Sequence, residues 1–290
     1  MSLGGKRLRP LLTLLGASFF TDNWQIFTKP AIAVEVFHNF TLMHDDIMDK
    51  APLRRGKPTV HEKWNANIAI LSGDVMLVQA YELLTDIDPA KLPQVLRAFN
   101  RCAAEVCEGQ QIDMNFETRN DVSEDEYLDM IRLKTAVLLG FSLKLGGILG
   151  GTSEANLTLL KELGENIGIG FQLKDDLLDV FGDQAKFGKQ VGGDIIANKK
   201  TFLLIEALTQ ATGQTAKDLN HWLSLKDFDK AEKVAAVTEI YNKLNIKTLT
   251  ENKINQYFEK GFDCLKKIEA PAEKKFYLQD FIEKLMQREH

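Results

Sequence analysis

Residues 37–50 read FHNFTLMHDDIMDK, and residues 169–183 read IGFQLKDDLLDVFGD. Each stretch carries D-D-x-x-D among apolar residues spaced three and four apart, the period of a helix rather than the alternation of a strand. At about 3.6 residues per turn, Asp45 stands over Asp49 and Asp175 over Asp179, one turn apart on one helical face. Asp46 and Asp176 complete the two clusters. Carboxylates this close repel one another unless something positive is shared between them.

The same period extends outward. Leu128, Ile131, Leu138 and Phe141 follow it in one segment, and Leu160, Leu163, Ile167, Phe171 and Leu178 in another. Prolines stand at 10, 30, 52, 58, 89 and 93 and then not until Pro271, so long helices are permitted across the middle of the chain. Breaks are expected at residues 52–58, 89–93, 146–151 and 188–193, where proline or glycine gathers. The expected fold class is all-α, a helical bundle with a central cavity between facing helices. No composition shift divides the chain, so residues 1–290 are expected to form one domain.

Hydrophobic residues make up 44% of the 290 positions and charged residues 27%, which is globular composition. A net charge of −5 gives no bulk attraction to nucleic acid, so any anionic ligand must be held by local basic residues. Cys102, Cys107 and Cys264 lack the paired spacing of a zinc or redox site and are expected as thiols in a reducing cytoplasm. Lys6, Arg7 and Arg9 before an apolar run superficially resemble a secretory signal, but Pro10 is placed for the first position of a helix and no small-x-small cleavage site follows. No membrane span is expected, because Asp74 and Lys144 interrupt the longest apolar runs.

A single D-D-x-x-D reads more readily as a solvated acidic turn. Two copies, each within apolar helix, favour a shared ligand. Hard oxygen donors at this spacing suit Mg2+, which takes one or two carboxylates and completes its shell with phosphate oxygens and water. The basic residues agree with an anionic partner. Arg54 and Arg55 follow the first cluster on a proline-flanked loop, and an arginine fork grips phosphate bidentately. Further basic groups occur in GGKRLRP at 4–10, at Lys134 beside Thr135, at Lys189, and in NKKT at 198–201.

With these motifs in this order (GGKRLRP, HDDIMD, LRRGKPT, LSGD, Gly109-Gln110, Lys134-Thr135, FQLKDDLLD, then GKQVGGD with NKKT), the chain resembles the trans-isoprenyl diphosphate synthases, the polyprenyl synthetase family. The resemblance covers residue 4 to about residue 201. It implies an isoprenoid synthase bundle that condenses isopentenyl diphosphate with dimethylallyl, geranyl or farnesyl diphosphate, head to tail, releasing diphosphate. It implies three Mg2+ ions, two on Asp45 and Asp49 and the third on Asp175, with Asp46, Asp176 and Asp179 in support. Arg54, Lys134, Lys189 and Lys199 would hold the allylic diphosphate, joined by Thr135 and Gln172. Lys6, Arg9, His38 and Arg55 would hold isopentenyl diphosphate, and Gln110 and Asp113 would line the same cavity. A homodimer is implied. Family members carry a helical segment before GGKRLRP, whereas that motif starts here at Gly4, so a truncated N-terminus is expected.

Product length follows from helix geometry and the family pattern together. Along a helix rising about 1.5 Å per residue, Phe40 lies roughly 7.5 Å and Phe37 roughly 12 Å from Asp45, close to its azimuth and that of Thr41. Alone, the two phenylalanines read equally as core. In the family, an aromatic matching Phe40 with a smaller residue matching Thr41 resembles the geranylgeranyl pattern, so a twenty-carbon product is expected, with farnesyl diphosphate as the alternative. A terpene cyclase generally lacks the second intact cluster, a regulatory subunit lacks metal ligands, and a di-iron bundle needs paired Glu-x-x-His motifs that are missing here.

Overall fold

The computed structural model describes residues 4–182 and 192–287, so Lys189 and most of the expected break at 188–193 lie outside the described residues. Within them the chain is helical apart from one small hairpin, as expected of an all-α protein. It divides into two compact units, 1–104 with 138–164 and 267–278, and 105–137 with 165–266 and 279–290.

In the first unit α1 spans Leu8–Ser18, a 3-10 turn Trp24–Phe27 follows, and α2 spans Thr28–Met48. Pro10 and Pro30 both lie in first turns, where a missing N–H costs nothing; α1 begins two residues before Pro10 rather than at it. The 52–58 stretch is a hairpin, not an irregular loop: β1 (Leu53–Arg54) pairs antiparallel with β2 (Lys57–Pro58). Its turn residues Arg55 and Gly56 have φ 54° and 74°, the left-handed pair of a type I′ turn, whose twist matches the flanking strands. Next come α3 (Val60–Lys63), α4 (Ala66–Leu84), the start of α5 (Leu92–Phe116), most of α7 (Val137–Gly150) and the start of α8 (Glu154–Phe181).

The expected break at 146–151 is displaced to its end. Gly146 and Gly147 continue α7, and the chain turns only at Gly151, with φ 80°. A Cβ on Gly146 would overlap the Thr13 carbonyl oxygen, and one on Gly16 would lie 2.7 Å from the Leu143 carbonyl oxygen. These glycines let α1 and α7 pack backbone to backbone rather than ending a helix. Beneath α2, Phe37, Phe99 and Phe141 form an aromatic core, with ring centroids 5.1 Å apart for Phe37–Phe99 and 5.6 Å for Phe99–Phe141.

In the second unit α6 (Glu124–Ile131) starts on a capping box between Ser123 and Glu126. It runs into a π-helical turn, Arg132–Ala136, before α7. A Cβ on Gly109 of α5 would overlap the Lys134 backbone nitrogen, and one on Gly168 of α8 would lie 2.6 Å from Ala136. Two glycines thus admit two helices against the widened turn. The described unit continues with α9 (Gly193–Ile196), α10 (Phe202–Gln210), α11 (Gly213–Ser224), α12 (Lys230–Lys243) and α13 (Ile246–Lys267). The last helix, α14 (Ala272–Met286), crosses the division between the units.

Two helical segments reach the length and composition of a membrane span, because the charges that interrupt their apolar runs, such as Asp74 with Glu82 and Lys134 with Lys144, are too few to take the composition out of range. The apolar stretch of Glu124–Gly150 is 78% buried and belongs to the core, whereas only 22% of that in Ala66–Leu84 is buried.

Candidate active site

Asp45 and Asp46 lie in the last turn of α2 and Asp49 caps it, with no basic residue in that turn. The helix dipole adds partial negative charge at the same end, so the position favours an added cation. The hairpin carries Arg54 back to this end. Its Nε lies 2.7 and 2.8 Å from the two oxygens of the buried Asp46, and an Nη reaches Asp45 Oδ2 at 3.4 Å. Burial alone would lower the Arg54 pKa; the hydrogen bond and charge of Asp46, with Asp45 and Asp49, outweigh it and raise the pKa. Arg54, expected on a diphosphate, is thus placed against the first cluster.

Arg55 turns the other way. Its left-handed backbone directs an Nη–H to the Gly4 carbonyl, and a Cβ on Gly5 (φ 125°) would lie 2.7 Å from the guanidinium. The two glycines of GGKRLRP therefore form a bare seat for Arg55. Arg9 is half-buried, its Nε enclosed without a hydrogen-bond partner, and burial pushes its pKa down to about 10 against the attraction of Glu35. Burial likewise holds His38 well below the usual imidazole range, and the charges of Arg9, Arg55, Arg54 and Arg7 add to the effect. A neutral imidazole ringed by arginines is a pocket for an anion. Lys6 is exposed. Arg7 was not singled out by spacing; it is left-handed at φ 52° and pairs with buried Glu35.

Farther down α2, Phe40 packs its ring 4.7 Å from His44 and 5.6 Å from Phe37. Thr41 folds its hydroxyl back onto the His38 carbonyl at 2.8 Å. His44 was also not anticipated. A Cβ on Gly73 of α4 would overlap its ring, so that glycine makes room for it.

In the second unit the π turn presents Lys134 and Thr135. Lys134 Nζ lies 2.6 Å from Asp113 Oδ2, and Thr135 Oγ1 donates to Gln172 Oε1 at 3.2 Å. Gln110 is half-buried with its Nε2 enclosed and without a hydrogen-bond partner. On α8, Asp176 is buried and accepts from Tyr127 and from Gln172 Nε2, the latter at 2.9 Å. Burial pushes the Asp176 carboxyl up to about 7, helped by the charge of Asp194 and opposed by Lys199. Asp179 Oδ2 accepts the Asp194 backbone N–H at 2.9 Å, and the Asp194 carbonyl accepts the Lys199 N–H at 2.9 Å. Lys199 is exposed. Tyr127 and Asp194 were missed as site residues. The only sequence signal for Tyr127 is a tyrosine on the apolar face of an amphipathic segment, where its hydroxyl must find a partner.

Among the described residues no three His, Cys, Asp or Glu side chains converge closely enough to hold a metal ion unaided. An all-oxygen donor set with few carboxylates per ion fits Mg2+, whose remaining ligands come from phosphate and water.

Two D-D-x-x-D clusters, an arginine-ringed pocket and a lysine on a π turn define an enzyme of diphosphate chemistry on a helical scaffold. The polyprenyl synthetase family profile matches residues 1–241, and the chain belongs to that family. It is 38% identical to a geranylgeranyl diphosphate synthase of Methanosarcina mazei, over 95% of this chain and 84% of that one. A crystal structure of a geranylgeranyl pyrophosphate synthase superposes with TM-score 0.95 at 46% identity, covering 100% of this chain and 89% of the other. The geranylgeranyl pyrophosphate synthase of Corynebacterium glutamicum, complexed with isoprenyl diphosphate and magnesium, superposes with TM-score 0.89 at 31% identity, covering 98% and 87%. The activity is that of a short-chain trans-prenyltransferase, which sets aside the terpene cyclase and non-catalytic subunit alternatives.

Proposed function

We propose that this enzyme condenses isopentenyl diphosphate with allylic diphosphates and makes geranylgeranyl diphosphate as its main product. The observation that carries this reading is the order of side chains along α2: carboxylates at its end, the Phe40–His44 contact below them, and small Thr41 beside Phe40. An aromatic floor with a threonine at its side leaves more depth than two aromatic residues would.

Asp45 and Asp49 would hold two Mg2+ ions and Asp175 a third. When bound, these ions supply the positive charge that stabilises a departing diphosphate. Lys134, positioned by Asp113, together with Thr135, Gln172, Lys189, Lys199 and Arg54, binds the allylic diphosphate and stabilises charge developing on its oxygens. Lys6, Arg9, Arg55 and neutral His38 bind the isopentenyl diphosphate; the enclosed Arg9 Nε is a donor awaiting such an acceptor. The allylic C–O bond breaks with its electron pair on the leaving diphosphate. The isopentenyl double bond attacks the resulting carbocation, and the released diphosphate takes up the proton whose loss completes a product five carbons longer.

The exposed apolar face of α4 supports a homodimer, since Leu71, Val75 and Val78 share one side of the helix with exposures of 65%, 56% and 66%. Residues 1–290 act as one domain, a reading supported by a division between units that falls inside α5 and α8 rather than at a linker, and Cys102, Cys107 and Cys264 as thiols support a cytoplasmic location. Incubation with Mg2+, isopentenyl diphosphate and each allylic primer, followed by chromatographic sizing, tests the proposal. A twenty-carbon diphosphate is expected, and Asp45→Ala or Asp175→Ala should abolish it while helical content persists, because each removes a cation ligand and little buried apolar area. Cyclic hydrocarbon products, or full turnover in both variants, would overturn it.

A further inference from the structure

Tyr127 belongs to none of the sequence motifs, yet it is among the largest fully enclosed side chains, 1% exposed. A buried phenol must place its O–H on an acceptor, since an enclosed hydroxyl without one is costly. The acceptor is Asp176 Oδ2. The other oxygen of Asp176 takes Gln172 Nε2 at 2.9 Å from one turn earlier on α8, and Gln172 Oε1 takes the Thr135 hydroxyl at 3.2 Å. A single hydrogen-bonded path therefore joins Tyr127 on α6, Asp176 and Gln172 on α8, and Thr135 on the π turn, all within the second unit.

We propose that Tyr127 is a positioning residue for the second aspartate cluster: with Gln172 it occupies both oxygens of Asp176, fixes that carboxylate as an internal strut, and so presents Asp175 to Mg2+. The inference rests on the assignment of Asp175 as a metal ligand. Adjacent carboxylates compete for one cation, and donors from within the protein withdraw Asp176 from that competition. Phenylalanine would fill the same space but leave Asp176 Oδ2 without its donor. Asp176 would then turn toward Asp175 and Asp179, and the tie through Gln172 to Thr135 would loosen.

The test compares Tyr127→Phe, Asp176→Asn and Asp175→Asn in the full chain. Binding of Mg2+ with inorganic diphosphate is measured by calorimetry, half-saturating Mg2+ by turnover, and folding by thermal melting. Tyr127→Phe should weaken Mg2+ binding about tenfold, the loss of one hydrogen bond to a charged group, and raise half-saturating Mg2+ by the same factor. The Michaelis constant for isopentenyl diphosphate should stay unchanged. Asp176→Asn, whose amide can still meet Tyr127 and a flipped Gln172, should keep most of the affinity that Asp175→Asn loses. A purely structural tyrosine would lower the melting temperature without moving the Mg2+ dependence. Wild-type Mg2+ affinity in Tyr127→Phe, or Asp176→Asn as damaging as Asp175→Asn, overturns the strut. Undiminished affinity in Asp175→Asn overturns the metal assignment and the strut with it.

Discussion

Arg54 and Asp46 form a partly buried ion pair, Nε to both carboxylate oxygens at 2.7 and 2.8 Å, made across the turn from the end of α2 into the hairpin. Arg54→Ala would strand a buried carboxylate and should cost roughly 2 kcal/mol, at the low end for such a pair because the Arg54 side chain is 31% exposed. Asp46→Asn in the same background should recover part of the loss. Urea unfolding measures both, and a wild-type midpoint for Arg54→Ala would show that the pair contributes nothing.

Phe40 sits between His44 and Phe37. Phe40→Ala should lengthen the product by at least one five-carbon unit, and Thr41→Phe should shorten it, because volume is removed or added at the floor. Emptying a buried aromatic site costs about 3–5 kcal/mol, so Phe40→Leu is the milder companion. Unchanged chromatographic sizes in all three variants would move the floor elsewhere, to the part of α4 near Gly73.

The raised Asp176 carboxyl predicts a pH dependence in metal-free protein. The folded state keeps this proton after the unfolded chain has lost it, so the native state binds more protons and stability falls as pH rises. The fall runs from about pH 4, the ordinary carboxylate value, to the folded value of about 7, with a slope of at most about 1.4 kcal/mol per pH unit. Denaturation in chelator across that window should show it, and Asp176→Asn should flatten it. A stability that climbs with pH equally in both proteins would contradict the assignment.

Leu71, Val75 and Val78 line the exposed side of α4. If a second copy covers that face, Leu71→Glu should convert the protein from dimer to monomer with its fold retained, since a charge is costly at the centre of an apolar interface. Sedimentation equilibrium reads this directly. Identical masses for variant and wild type would remove α4 from the interface.

Local pattern carried much of the architecture. Ile131, Leu138, Phe141, Leu160, Leu163 and Ile167 are all buried, because a three-and-four period places side chains on one face whatever lies opposite. The i, i+4 spacing likewise put Asp45 with Asp49 and Asp175 with Asp179 on the helices where they stand, and the order of motifs identified the family.

What spacing left open was settled by contacts between residues distant in sequence. Nothing local separates Asp46 from Asp45, or Asp176 from Asp175. The difference arises because Arg54 reaches Asp46 from a hairpin and Tyr127 reaches Asp176 from α6. Gly146 reads as a helix break until α1 crosses it, and Arg132–Ala136 reads as ordinary helix until Gly109 and Gly168 admit two neighbours against a π turn. Helix period is encoded within one turn of chain, so the sequence alone determined which residues form helices and which faces they bury. Which carboxylate is neutralised, which glycine bends and which tyrosine finds an acceptor depend on groups from eight to more than a hundred residues apart, beyond the reach of one helical turn, so only the tertiary structure decided them.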